Sequence, residues 1–61
     1  MGERNAYKYL VSGNRREVRN RYGTVLAEAT LEDGEWEIFY PLVIRTETDW
    51  KAIEHYFSDL F

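Results

Sequence analysis

Thr30-Leu31-Glu32-Asp33-Gly34-Glu35-Trp36-Glu37-Ile38-Phe39 decides the fold, because an Asp-Gly pair separates two segments of alternating apolar and polar character. Aspartate followed by glycine suits the central positions of a type I′ turn, both of which need positive φ. Folding the chain there sets Glu32 opposite Glu35, Leu31 opposite Trp36, Ala29 opposite Ile38 and Ala27 opposite Tyr40. The last three pairs are apolar and share one face. Thr30 with Glu37, and Glu28 with Phe39, share the other. A slip of one residue would exchange the faces, so the hydrophobic pattern specifies the register. Pro41 falls opposite Leu26, at a position that needs the N–H it lacks. A bulge or break near Tyr40-Pro41 is expected, with Leu42 to Arg45 resuming as an extended edge segment.

Beyond this hairpin, Thr46-x-x-Asp49 has the spacing of a capping box, with Asp in place of the usual Glu. At about 100° per residue, Trp50, Ile53, Tyr56, Phe57, Leu60 and Phe61 fall on one apolar face. Lys51, Glu54, His55, Ser58 and Asp59 fall on the other. The pattern predicts an amphipathic helix whose aromatic face packs over the small side chains of Ala27 and Ala29.

Upstream, Ala6 to Val11 alternates as a strand and leads through Ser12-Gly13-Asn14 into a second strand from Glu17. A four-residue loop would set Tyr7, Tyr9 and Val11 against Tyr22, Asn20 and Val18, with those tyrosines facing the core. Lys8 and Leu10 would meet Arg21 and Arg19 outside. Strict alternation puts Val18 and Tyr22 on the face opposite Val25, Ala27 and Ala29, so a bulge near Gly23 is expected to swing both sets inward. The expected fold class is α+β: a small, bent, three-stranded antiparallel β-meander with one C-terminal α-helix packed on one face, in the order βββα. Strands are expected at about 6–12, 17–31 and 35–45 and a helix at about 47–59, all within a single domain spanning 1–61.

Size limits what the fold can do. A chain of 61 residues buries only roughly 60% of its unfolded surface. Cysteine is absent, which removes disulfides, thiolate nucleophiles and cysteine-containing zinc sites. Three Phe, five Tyr and two Trp supply the apolar mass instead. The N-terminal residues lack the apolar core of a signal peptide, and no apolar run approaches the roughly 18 residues of a membrane span. The expectation is a cytoplasmic protein that does not engage membranes.

Charge is divided along the chain. Met1 to Ala27 holds six basic residues against two acids, a net +4; Glu28 to Phe61 holds nine acids against Arg45 and Lys51, a net −7, which together give −3. Positive charge is therefore expected at the first hairpin and negative charge around Asp33-Gly34. Such a dipole favours an oriented encounter with a protein of mixed charge.

Catalytic patterns are lacking. His55 projects to the solvent side of the helix without a nucleophile or further ligands in its pattern. Carboxylates paired at Glu32 with Glu35 and at Glu28 with Glu37 lie on an open strand surface, where nothing perturbs them towards acid–base work. No glycine-rich phosphate loop is present, and Ser12 and Ser58 have no base nearby in sequence. The reading is of a protein that is not an enzyme, with no catalytic residues, no metal site and no cofactor.

Binding surfaces remain. Phe39, ringed by Glu28, Glu35 and Glu37, is expected to form an exposed apolar patch rimmed by charge, a typical docking surface. Lys8, Arg15, Arg16, Arg19 and Arg21 form a second charged contact. The leading expectation is a small non-enzymatic protein-binding module, an inhibitor or adaptor acting by surface occlusion on a host protein machine, as suits a phage or mobile-element product. The alternative is a nucleic-acid-binding domain in which those five cations neutralise phosphates and nearby tyrosines stack on bases. A third expectation is a homodimer across an exposed edge strand.

Overall fold

A computed structural model describes residues 6–61. It is α+β, as expected, with an antiparallel sheet of four strands and a C-terminal helix. The strands are β1 (Lys8–Ser12), β2 (Arg15–Arg19), β3 (Val25–Glu32) and β4 (Glu35–Phe39), hydrogen-bonded in chain order. The helix α1 (Glu47–Tyr56) is followed by a 3-10 turn at Ser58–Leu60.

The β3–β4 hairpin has the expected register, with Glu32 opposite Glu35, Leu31 opposite Trp36, Ala29 opposite Ile38 and Glu28 opposite Phe39. Asp33 and Gly34 adopt φ of 53° and 79°, the two positive values a type I′ turn requires. β4 stops at Phe39, so the predicted strand over 35–45 is cut short at Pro41 and does not resume. The Tyr40–Pro41 bond is trans.

The expected strand over 17–31 is two strands. Asn20 closes a tight loop between them: its N–H donates to the Thr24 carbonyl at 3.0 Å, and its carbonyl accepts from Gly23 at 3.0 Å. Its side-chain oxygen accepts from the N–H groups of Tyr22 and Thr24 at 2.9 and 3.0 Å. This self-contained hydrogen bonding competes successfully with continuation of the strand. Gly23 serves the loop, with φ of 85°. The bulge lies further along, because Val18 pairs with Ala27 but Arg19 pairs with Val25. Leu26 is the extra residue, and both it and its neighbour Ala27 are buried.

In the first hairpin, Gly13 and Asn14 form a two-residue loop, not the longer one expected, and Tyr9 rather than Val11 faces Val18. Tyr22 accordingly sits in the Asn20 loop, 82% exposed, and not against the core.

Thr46 caps α1 through the predicted box. Asp49 N–H donates to Thr46 Oγ1 at 3.1 Å, and Thr46 N–H donates to Asp49 Oδ2 at 2.9 Å. The helix packs on β2 and β3, and Val18, Leu26, Ala27, Ala29, Ile53 and Phe57 form the fully buried core. Trp50 is an exception to the projected apolar face. The helix is rotated so that Asp49, Ala52 and Ile53 point inward, leaving Trp50 39% exposed. Asp49 tolerates burial because the Tyr7 hydroxyl donates to it at 2.6 Å, adding to the capping bonds.

Candidate functional site

Pairing across the sheet fixes which side chains share the face that α1 leaves uncovered. Leu10, Glu17, Glu28 and Phe39 form one row across all four strands. Ser12, Arg15, Thr30 and Glu37 form the next, and Glu32 with Glu35 lie beyond it. Lys8, Arg19 and Val25 form the row on the other side. Phe39 is 62% exposed and Leu10 is 44% exposed, at opposite edges of this face.

An ion-pair ladder fills the space between them. Arg15 contacts Glu28 and, at 3.3 Å, Glu17; Arg19 Nε donates to the second oxygen of Glu17 at 2.9 Å. The two arginines are thus tied to acids of their own face. The charge division of the sequence survives only in part: β2 carries internally paired charge, while Glu35 and Glu37 remain exposed around Phe39.

Arg16 lies on the opposite face, apart from Arg15 and Arg19. Its guanidinium carbon sits 4.5 Å from the centre of the Trp36 ring, and Nη1 donates to both carboxylate oxygens of Asp59 at 3.0 and 3.1 Å and to the Tyr9 hydroxyl at 3.1 Å. The hydrogen bonds to Asp59 raise its already high pKa, against the opposing effect of partial desolvation. Arg21 stands in the Asn20 loop with its guanidinium 5.8 Å from the Tyr22 ring centre. Of the five cations singled out from sequence, Lys8, Arg15 and Arg19 share the uncovered face. Lys8 and Arg21 make no ion pair among the described residues.

Arg45 was not singled out, yet it organises the segment after β4. Its Nε donates to the Leu26 carbonyl at 2.8 Å, and Nη1 and Nη2 reach the carbonyls of Val43 and Pro41. Its guanidinium also lies 5.5 and 5.0 Å from the ring centres of Tyr40 and Trp50. The signal for this role was Pro41, since ending a ladder leaves carbonyls that need donors. Val43 is thereby turned to pack against the core, while Leu42 and Ile44 face outward, fully exposed.

His55 is exposed at the helix surface, its ring 5.1 Å from that of Tyr56. Among the described residues, no three His, Asp or Glu side chains cluster as metal ligands. No helix there is long and apolar enough to cross a membrane. No family model, curated protein or solved structure matches the chain.

Proposed function

We propose that the chain is a small non-enzymatic protein-binding module, an inhibitor or adaptor that acts by occluding a surface of its partner. The observation that carries this reading is Phe39, exposed on the face opposite α1 with Glu37 and Glu35 exposed next along β4, whereas Glu28, beside it in the row, is taken up by Arg15. An aromatic group with an acidic rim suits a partner that offers an apolar pocket edged by Lys or Arg. The carboxylates would steer the encounter, and the ring would supply the desolvated contact. The alternative of nucleic-acid binding is weaker, because Arg15 and Arg19 are engaged with Glu17 and Glu28, and Arg16 with Asp59.

The test is affinity capture with the wild type, Phe39→Ala and Glu37→Lys, each checked for folding by circular dichroism. A partner retained by the wild type and lost by both variants supports the site. Capture indifferent to both substitutions removes it. Titration with labelled single- and double-stranded DNA and RNA at low salt tests the alternative, which predicts salt-sensitive binding reduced by Lys8→Glu and Arg21→Glu.

A further inference from the structure

The two edges of the sheet are built differently, and the difference selects one of them for self-association. Leu31 donates its N–H to the Asn14 carbonyl at 2.8 Å, which sets the hydrogen-bonding phase of β2. Even-numbered positions of β2 bond to β3, so Arg15, Glu17 and Arg19 bond to their β1 partners Ser12, Leu10 and Lys8. The N–H and C=O groups of Tyr9 and Val11 therefore point away from the sheet, and no described strand lies beyond β1. By the same alternation, Glu35, Glu37 and Phe39 bond inward to β3, and Trp36 and Ile38 present the outward groups of β4.

Consider each edge paired antiparallel with its own copy about a two-fold axis perpendicular to the sheet. On β4 a register centred on Glu37 pairs Trp36 with Ile38 but sets two Glu37 carboxylates directly opposite. One centred on Trp36 sets Glu37 opposite Glu35, and one centred on Ile38 leaves Trp36 opposite Tyr40, beyond the end of the strand. Like charges set opposite each other disfavour pairing, a common protection of edge strands. On β1 the axis passes through Leu10. Leu10 then faces Leu10, Tyr9 faces Val11 in two hydrogen-bonded pairs, and Lys8 faces Ser12, so no like charges meet. Leu10 and Val11 are exposed apolar residues at this edge, and the strand lacks proline and inward-pointing charge. The helix packs on β2 and β3 and meets β1 at Tyr9, whose ring stacks on Tyr56 with centroids 5.0 Å apart, while Leu10 and Val11 stay exposed.

We infer that β1 is a self-association edge at which a second copy of this chain adds antiparallel through Tyr9–Val11 pairs, making one continuous eight-stranded sheet. The two-fold keeps both uncovered faces on the same side, so the dimer displays two Phe39 sites in one surface. A single-strand interface belongs to the small, transient class, below about 1,200 Å², so the dimer is a high-concentration species. The inference is independent of what Phe39 binds, because it is read on the isolated protein.

Sedimentation equilibrium from about 10 μM to about 1 mM should show the mass rising from 7.3 kDa towards twice that value and no further. Leu10→Lys puts two cations on the axis, and Val11→Pro removes the outward N–H while sparing the β1–β2 ladder; both should remain monomeric throughout. Glu37→Lys and Phe39→Ala should dimerise as the wild type does. In wild-type hydrogen exchange, the amides of Tyr9 and Val11 should gain protection as concentration rises, whereas those of Lys8, Leu10 and Ser12 are protected at every concentration. A wild type monomeric to the upper limit, growth beyond the dimer, or dimers that survive Val11→Pro would overturn the inference, as would Tyr9 and Val11 amides indifferent to concentration.

Discussion

Arg45 and Leu26, 19 residues apart, are joined where the sheet loses its fourth strand: the Nε–H of Arg45 donates at 2.8 Å to the Leu26 carbonyl. Pro41 has no N–H to offer and β4 has already ended at Phe39, so no strand supplies a donor to that carbonyl on this side of β3. A guanidinium fork substitutes for the missing backbone donors and adds those of Pro41 and Val43 to its acceptors.

Arg45→Ala should therefore cost about 2 kcal/mol, the scale of a charged hydrogen bond with its acceptor left behind. Arg45→Lys should recover only part of this, because a point charge cannot reach three divergent carbonyls. Urea denaturation of the three proteins checks the order; equal midpoints for wild type and Arg45→Lys would show that the fork is irrelevant.

Asp49 ties the stability of the helix start to pH. Burial favours its neutral form, but the hydrogen bond from Tyr7, the bonds with Thr46 and the charge of Arg45 outweigh this and hold its pKa below the ordinary 3.8. Its ionised form thus contributes stability in full above the unfolded value, and the contribution disappears as pH falls through the lower folded value. Asp49→Asn should be destabilising near neutrality and approach the wild type in acid below about pH 4. Unfolding free energies across that range are the measurement, and a difference independent of pH would contradict it.

Phe57 fills the space over Ala27 and Ala29 and is completely buried. Truncating it to alanine should cost about 3 to 5 kcal/mol. That is comparable with the whole stability of a chain this small, at roughly 0.05–0.15 kcal/mol per residue. The variant should show no cooperative thermal transition, while Leu60→Ala, only partly buried at the margin of the core, should retain one.

Phe39→Ala should change stability by less than about 0.5 kcal/mol, as expected of an exposed side chain outside the core. Thermal denaturation beside the wild type is the check. A large loss would mean that the ring supports the fold and has no claim to be a docking group.

The parts legible in the sequence are those whose cause is local. Asp33-Gly34 and the alternation on either side of it carry the register of β3 with β4, and Thr46 with Asp49 carry the start of α1. The same alternation places Glu28, Glu37 and Phe39 on one face. What was hidden depends on side chains meeting the backbone or one another at long range. Asn20 breaks a strand by folding its amide onto its own loop. Asp49 reads as a surface residue until Tyr7 arrives from 42 positions away, and its burial rotates the helix and expels Trp50. Arg16 occupies a core-side position because Trp36 and Asp59 accommodate its stem and charge. Glu17 neutralises Arg15 and Arg19 from its place between them on β2, but the cross-strand contact of Arg15 with Glu28 needs β2 and β3 to pair, which reading 17–31 as one strand obscured.

Leu26 shows two demands in competition. Without it, Arg19 and Val25 would stack beside Val18 and Ala27 in an uninterrupted ladder, and the sheet would be more regular. Its deletion would also withdraw the largest fully buried side chain that the strands contribute and the carbonyl to which Arg45 anchors the chain after Pro41. So small an interior has few positions from which to recruit volume. The fold gives up periodicity at one step of the sheet to gain a side chain that periodicity would have left in water.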